Sequence, residues 1–214
     1  SHKEFATAEG KSAIRLPEDL TDEEASLLSI LEVGHIALRQ GNPELGANVC
    51  IIGLGLIGLS ALAYCKAFGF RTAALDIAPE RLELARGIGC DFVQRADSGD
   101  AVSRVSRFFD NEGADLAIEA ASSNKAVQSG LNIVRSGGTL VVVARHLQRP
   151  DYNPFARPYF GKQITLRTSY AHPPEGHRWD RRRSLRRTMQ LIREKKLPIV
   201  SMITHRGDWT EIPE

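Results

Sequence analysis

The sequence predicts an α/β fold: a doubly wound, six-stranded parallel sheet with partial elements of a second domain at both ends. Three observations carry this expectation. From Asn48 onward, short apolar runs alternate with helical stretches, most of them closed by glycine. That alternation is the pattern of parallel strands joined by right-handed crossovers. The run after Asn48, Val-Cys-Ile-Ile, is apolar throughout, as a strand buried on both faces must be. It leads into Gly53-Leu-Gly-Leu-Ile-Gly58 with a helical stretch behind it. Strand, glycine turn and helix thus follow in the order a dinucleotide-binding fold requires.

The elements follow in order. Residues 4–9 and 12–17 read as short strands. Thr21 and Glu24 have capping-box spacing, and Gly41 sits where a helix C-cap belongs, so a helix is expected over 22–40. Leu27, Leu28, Leu31, Ile36 and Leu38 supply much of its apolar content. The alternating region then gives strands at 48–52, 71–76, 91–93, 114–120, 139–144 and 163–169. The expected helices are 56–69, 79–89 with Pro79 in its first turn, 98–113 capped by Ser98, and 123–138. Prolines 150, 154 and 158 break residues 145–162 into a loop. A basic helix at 178–196 and a last strand at 198–205 complete the chain. The domain reading is 1–20 as a remnant of a second domain and 21–46 as an interdomain helix. Residues 47–200 form the dinucleotide-binding domain, and 201–214 return toward the second domain.

Charge and cysteines narrow the partners. The net charge of +2 is too near balance to point to nucleic acid or a membrane. The three cysteines, Cys50, Cys65 and Cys90, are odd in number and lack paired spacing, which argues against a disulfide framework and fits the cytoplasm. No apolar run approaches the ~20 residues of a membrane span. The basic helix carries one aromatic residue, Trp179, while Leu185, Met189 and Ile192 recur at helical spacing. It therefore reads as a core stripe with a solvated basic face, and no nucleic-acid partner is expected.

Each glycine of the turn has its own expected task. Gly53 allows the tight turn, Gly55 lets a pyrophosphate approach the backbone, and Gly58 lets the helix pack close to the sheet. Leu56 and Ile57 lie between them. The phosphates would rest on the unpaired N–H groups of the helix start. Asp76 ends the second strand, about 20 residues beyond the turn, where an acid accepts hydrogen bonds from the adenosine ribose. A 2′-phosphate would meet its charge there, so Asp76 favours NAD over NADP. Arg81 lies close enough to reach a ribose or a phosphate, which leaves some NADP use open. A methyltransferase also ends its second strand in an acid, but its turn usually reads G-x-G-x-G, and Gly58 fits a dinucleotide site better.

At these residues the chain resembles the medium-chain dehydrogenase/reductase superfamily, of the alcohol and polyol dehydrogenase type. The resemblance runs through 5–28, the glycine turn and its helix, 75–93, 113–122, 134–144 and 200–214. It implies an oxidoreductase that moves a hydride between NAD(H) and an alcohol or carbonyl small-molecule substrate. It also implies roles for residues. Ile57 would back the nicotinamide, and Ala120 and Ala121 would lie near the ribose beside it. Val143 and Ala144 would face the carboxamide, as would Thr168 and Ser169. The family usually has glycine near Ala144.

The resemblance further implies that most of the catalytic domain lies outside this stretch. Its interdomain zinc ligand would fall at Leu28 or Ser29, neither of which ligates zinc. Glu32, one turn on, is the nearest substitute, but with His35 it reads as an ordinary helix pair. His146, His172, His177 and His205 have no ligand spacing. A zinc-independent enzyme is therefore expected, with no catalytic or metal residues in this stretch. Arg157, Tyr159 and His172, flanking the sixth strand, are placed to touch an acidic or phosphorylated substrate. The sixth strand lies near the sheet edge with little charge to protect it, and members of the family often pair there, so a homodimer is expected. The aromatics before it, Tyr152, Phe155, Tyr159 and Phe160, would add interface area. A non-catalytic nucleotide-binding or scaffold module in a larger assembly is the alternative.

Overall fold

The computed structural model describes residues 7, 10, 13–170 and 179–207. Its elements in chain order are α1 (Asp22–Gly41), β1 (Asn48–Ile52), α2 (Leu56–Ala67), β2 (Arg71–Asp76), α3 (Pro79–Ile88) and β3 (Phe92–Arg95). Then come α4 (Ala101–Phe108), β4 (Ala114–Glu119), α5 (Asn124–Ile133) and β5 (Val134–Val142). They are followed by α6 (Tyr159–Lys162), β6 (Thr165–Thr168), α7 (Arg181–Arg193) and a short 3-10 helix, Ile199–Met202. The six strands form one parallel sheet in the order β3-β2-β1-β4-β5-β6. This is the doubly wound arrangement, with the strand order reversing between β1 and β4.

Strand β1 shows why the fold needs continuous apolar runs. Val49 and Ile51 pack into the core on one face, beneath α1, α2, α3 and α7. Cys50 and Ile52 pack into the other, beneath α4 and α5. Both thiols of Cys50 and Cys65 are buried, and burial raises their pKa values, so they act as small apolar side chains.

Helix α1 is capped as expected: the Thr21 hydroxyl accepts from the Glu24 N–H at 3.2 Å, and Glu24 Oε2 accepts from the Thr21 N–H at 2.9 Å. Its C-cap is Asn42, at φ +46, rather than Gly41. Gly41 is needed for packing instead, since a Cβ there would sit 2.4 Å from Leu116 Cδ2. Gly34 has a similar task, because its Cβ would meet the Ser60 hydroxyl at 2.3 Å. The same hydroxyl donates to the Leu31 carbonyl at 2.9 Å, locking α1 onto α2.

Several boundaries depart from expectation. No strand forms at 13–17, and the strand expected at 4–9 lies almost wholly outside the described residues. Helix α4 begins after Asp100, not Ser98. The Ala101 N–H donates to the Ser98 carbonyl at 3.1 Å, closing a turn ahead of the helix. It ends at Phe108, because Asp110 and Asn111 adopt left-handed backbone. Helix α5 stops at Ile133, and β5 begins at once with Val134 paired to Ala114. Lys162 fixes that ending by donating to the carbonyls of Leu131, Asn132 and Val134 at 3.2, 2.7 and 2.8 Å. Within the expected loop, residues 159–162 form α6. The expected last strand is the 3-10 helix: Ile199 and Met202, three apart, are buried, while Val200 is exposed. Helix α7 buries Leu185, Met189 and Ile192 as read, together with Ser184, Thr188 and Leu191.

Candidate functional site: a cleft at the strand-order reversal

The carboxyl ends of β1, β2 and β4 open into a cleft of about 740 Å³. In open α/β sheets this crevice is where ligands bind. Its lining includes Gly53, Gly55, Asp76, Arg81, Ala120 and Ala121 from the sequence reading.

The three glycines of the turn stand in different surroundings. Gly53 has φ +90, and a Cβ there would lie 2.7 Å from the Cβ of Ala121. A Cβ on Gly58 would lie only 1.8 Å from the Gly53 carbonyl oxygen, so the helix start and the strand end touch backbone to backbone. Gly55 is the opposite case: nothing lies within 4 Å of its missing Cβ. It is the N-cap of α2, with no side-chain cap and no acidic residue in the first turn. The first N–H groups of α2 therefore start beneath open space, an arrangement that suits an anion. Leu56, Ile57 and Gly58 form that first turn, with Leu56 and Ile57 half-buried.

Asp76, the last residue of β2, is only 4% exposed. Its Oδ2 accepts from the Leu54 N–H at 2.6 Å, and its Oδ1 accepts from the Ala78 N–H at 2.9 Å. The carboxylate thus ties the glycine turn to the end of β2. Each of its oxygens keeps a further acceptor position. Arg81 Nη1 stands 3.7 Å from Oδ2, with its own side chain half exposed.

The remaining predicted residues lie along the second half of the sheet. Ala120 follows β4, and its N–H donates to the Ile52 carbonyl at 2.8 Å. Val143 and Ala144 follow β5, donating to the Glu119 carbonyl at 2.9 and 3.3 Å. Thr168 ends β6, and Ser169 donates to the Val142 carbonyl at 3.0 Å. Val143, Ala144, Thr168 and Ser169, at the ends of β5 and β6, stand outside the cleft lining, as do Leu56, Ile57 and Gly58 of the first turn of α2.

Sequence reading missed part of this site. Ile77, Asp97, Ser122, Lys125 and Gln128 also line the cleft. Ser122 has φ +55, in the turn between β4 and α5. Beside this turn the fully buried Glu119 accepts from the Ala121 N–H at 2.8 Å and pairs with His146 Nε2 at 2.8 Å. The available signal was topological. The second βα unit repeats the first, so its turn belongs to the same crevice.

Glu32 and His35 are a pair on α1, as read, but a buried one. They are 0% and 2% exposed, between α1, α2 and α7. Burial raises the Glu32 carboxyl to about 7, against the opposing pull of Arg181, whose Nε is 3.7 Å away. Burial lowers His35 to about 4, helped by Arg39 and Arg187. His35 stacks on Tyr64 at 4.9 Å, and Tyr64 shares a 2.6 Å hydrogen bond with Thr188.

Leu28 is buried, and the Ser29 hydroxyl accepts from Arg181 at 3.5 Å. Among the described residues no three His, Cys, Asp or Glu side chains gather as a metal site. The donor set here does not fit a zinc ion. His172 and His177 lie outside the described residues, and the His205 ring hydrogen-bonds Thr204. Among the described residues no helix is long and apolar enough to cross a membrane.

Known proteins resemble the chain in both sequence and fold. Sorbitol dehydrogenase of Bacillus subtilis is 36% identical over 129 residues, which are 60% of this chain and 36% of that protein. The uncharacterized zinc-type alcohol dehydrogenase-like protein YdjJ of Escherichia coli is 26% identical over 201 residues, covering 94% of this chain and 54% of its own. Alcohol dehydrogenase TADH from Thermus sp. ATN1 superposes with a TM-score of 0.77 at 26% identity, over 90% of this chain and 53% of that one. The chain therefore spans from about a third to about half the length of these relatives. The profile of the zinc-binding dehydrogenases matches residues 57–181, more than half of the chain. With the doubly wound sheet and its glycine turn, this shows that the chain belongs to the zinc-binding dehydrogenase family of the medium-chain dehydrogenase/reductase superfamily.

Proposed function

We propose that this chain is the cofactor-binding part of an oxidoreductase that transfers a hydride between NAD(H) and an alcohol or carbonyl substrate. The observation that carries the reading is the glycine turn: two glycines closed by backbone contact and one, Gly55, left open above a helix start. Asp76 stands at the neighbouring strand end on the same cleft. The turn would hold the pyrophosphate on the N–H groups of α2. Asp76 would accept from the adenosine ribose through its remaining acceptor positions. Leu56, Ile57, Ala120 and Ala121 would border the path to the nicotinamide, and Val143, Ala144, Thr168 and Ser169 would border its far end. Bound there, the nicotinamide would supply the hydride acceptor or donor. The polyol and alcohol dehydrogenase relatives favour a hydroxylated small molecule as substrate.

NAD is preferred over NADP in this reading, because a 2′-phosphate would meet the buried Asp76 charge. Arg81, 3.7 Å from that carboxylate, limits the preference. Isothermal titration with both cofactors tests it; tighter NADP(H) binding would reject the assignment. Zinc independence is part of this reading, supported by the side chains at Leu28 and Ser29, and one tightly held zinc per chain in metal analysis would overturn it. Binding of NAD(H) without turnover in the full-length protein would favour the non-catalytic module instead.

A homodimer is part of the same proposal. β6 is a sheet edge whose four residues are all exposed, and Phe155 and Phe160 in the segment before it are exposed as well. Tyr152 instead turns back to its own domain, donating to the Asn124 carbonyl at 3.1 Å. Light scattering at micromolar concentration is expected to give twice the chain mass; a monomer throughout would reject the pairing.

A further inference from the structure

Glu119 ends β4, in register with Ile52 of β1 on one side and Val142 of β5 on the other. It therefore sits one strand from the residue that precedes Gly53. A dinucleotide in a doubly wound fold crosses the crevice with one mononucleotide on each half of the sheet. Asp76 and Arg81 mark the adenosine side at β2. On this reading the nucleotide carrying the nicotinamide would lie over the ends of β4 and β5, where Glu119 and His146 stand.

The electrostatics of this pair have a definite sign. Glu119 is fully buried, yet both oxygens have a donor: the Ala121 N–H for Oε1 and the His146 ring for Oε2. As a carboxylate, Glu119 has both oxygens satisfied by these two donors. The pair then carries a net charge of −1 with His146 neutral and zero with His146 protonated; neither state is positive. The other titratable groups of this corner are Tyr152 and Asp151 of the same loop and exposed Arg145 after β5. Lys125, at the start of α5, lines the cleft. Burial, followed by Asp151 and Glu119, raises the Tyr152 hydroxyl, which keeps it uncharged. The two redox forms of the cofactor differ in charge only at the ring, which is cationic when oxidised and neutral when reduced. A fixed negative charge near the ring binds the first more tightly and leaves the second nearly unchanged.

We propose that the buried Glu119–His146 pair sets the preference of this site for the oxidised over the reduced cofactor, with Glu119 supplying the field and His146 tempering it. The proposal rests on the NAD(H) reading above. It is tested by titrating the chain with NAD+, NADH and ADP-ribose, which lacks the nicotinamide. Glu119→Gln keeps the shape and the acceptor for the Ala121 N–H. It is expected to weaken NAD+ relative to NADH by about tenfold, with ADP-ribose unchanged. His146→Lys, at a position 21% exposed, adds a fixed positive charge and is expected to shift the ratio the same way. It also serves if Glu119→Gln does not fold. An unchanged NAD+/NADH ratio in the folded variants would overturn the proposal. So would equal weakening of all three ligands, which marks a structural role. Failure of the unaltered chain to bind any of the three would instead reject the cofactor reading itself.

Discussion

The two halves of the sheet build the same strand-turn-helix unit from different residues. In the first half the turn after β1 uses Gly53, Gly55 and Gly58, two of which leave no room for a Cβ. In the second half the turn after β4 runs Ala120-Ala121-Ser122-Ser123 without a glycine, and Ser122 takes the left-handed conformation itself. Both turns are braced by a buried acid. Asp76 accepts two backbone N–H groups, whereas Glu119 accepts one and a histidine. Glycine is thus demanded where backbone must meet backbone or leave a ligand room, not by the turn as such. A glycine motif reports only one half of a two-part site.

Substitutions break this comparison unequally. Gly58→Ala forces a Cβ against the Gly53 carbonyl oxygen, 1.8 Å away. It is expected to cost about 3 kcal/mol or more of stability, seen as a lowered denaturation midpoint, and to abolish cofactor binding in titration. Asp76→Ala leaves the Leu54 and Ala78 N–H groups without their acceptor and should cost about 1–3 kcal/mol. It should also narrow the NAD over NADP preference measured by titration. Ser122→Gly should be the mildest change. Relief at φ +55 and the added freedom of the unfolded chain offset each other, so stability is expected to move by less than about 0.5 kcal/mol. If Ser122→Gly proved as damaging as Gly58→Ala, the two turns would not differ in the way described.

This contrast also explains what the sequence could show. The apolar runs, the capping box at Thr21 and Glu24, the glycine turn and Asp76 obey local rules, and each appears where expected. Thr168 and Ser169 could be placed at the end of the sixth strand because the strand pattern was clear. Some of the departures depend on distant partners. α5 ends where Lys162, about 30 residues on, reaches its last carbonyls. Gly41 stands where a cap belongs in the sequence, but its small size serves Leu116 in β4. His146 shows no ligand spacing in the sequence, and its pairing with Glu119, 27 residues away, follows no spacing rule.

Glu32 and His35 carry a consequence for acid tolerance. Outside the fold, between about pH 4.5 and 6.5, the carboxyl has lost its proton and the imidazole has gained one. Inside, the carboxyl titrates at about 7 and the imidazole at about 4, so both are neutral across that range. Folding in effect hands one proton from the imidazole to the carboxyl and leaves the total unchanged. A raised carboxyl alone would make the fold less stable as pH climbs from 4.5 to 7. A lowered imidazole alone would make it less stable as pH falls from 6.5 to 4. Where the two intervals overlap, opposite slopes of about 1 kcal/mol per pH unit cancel. Denaturant unfolding of the unaltered chain should show little contribution from this pair between pH 4.5 and 6.5. Glu32→Gln should uncover the histidine slope, losing stability steadily as the solution is acidified. The two buried side chains thus offset one another, so that their combined contribution to stability stays level through mild acid.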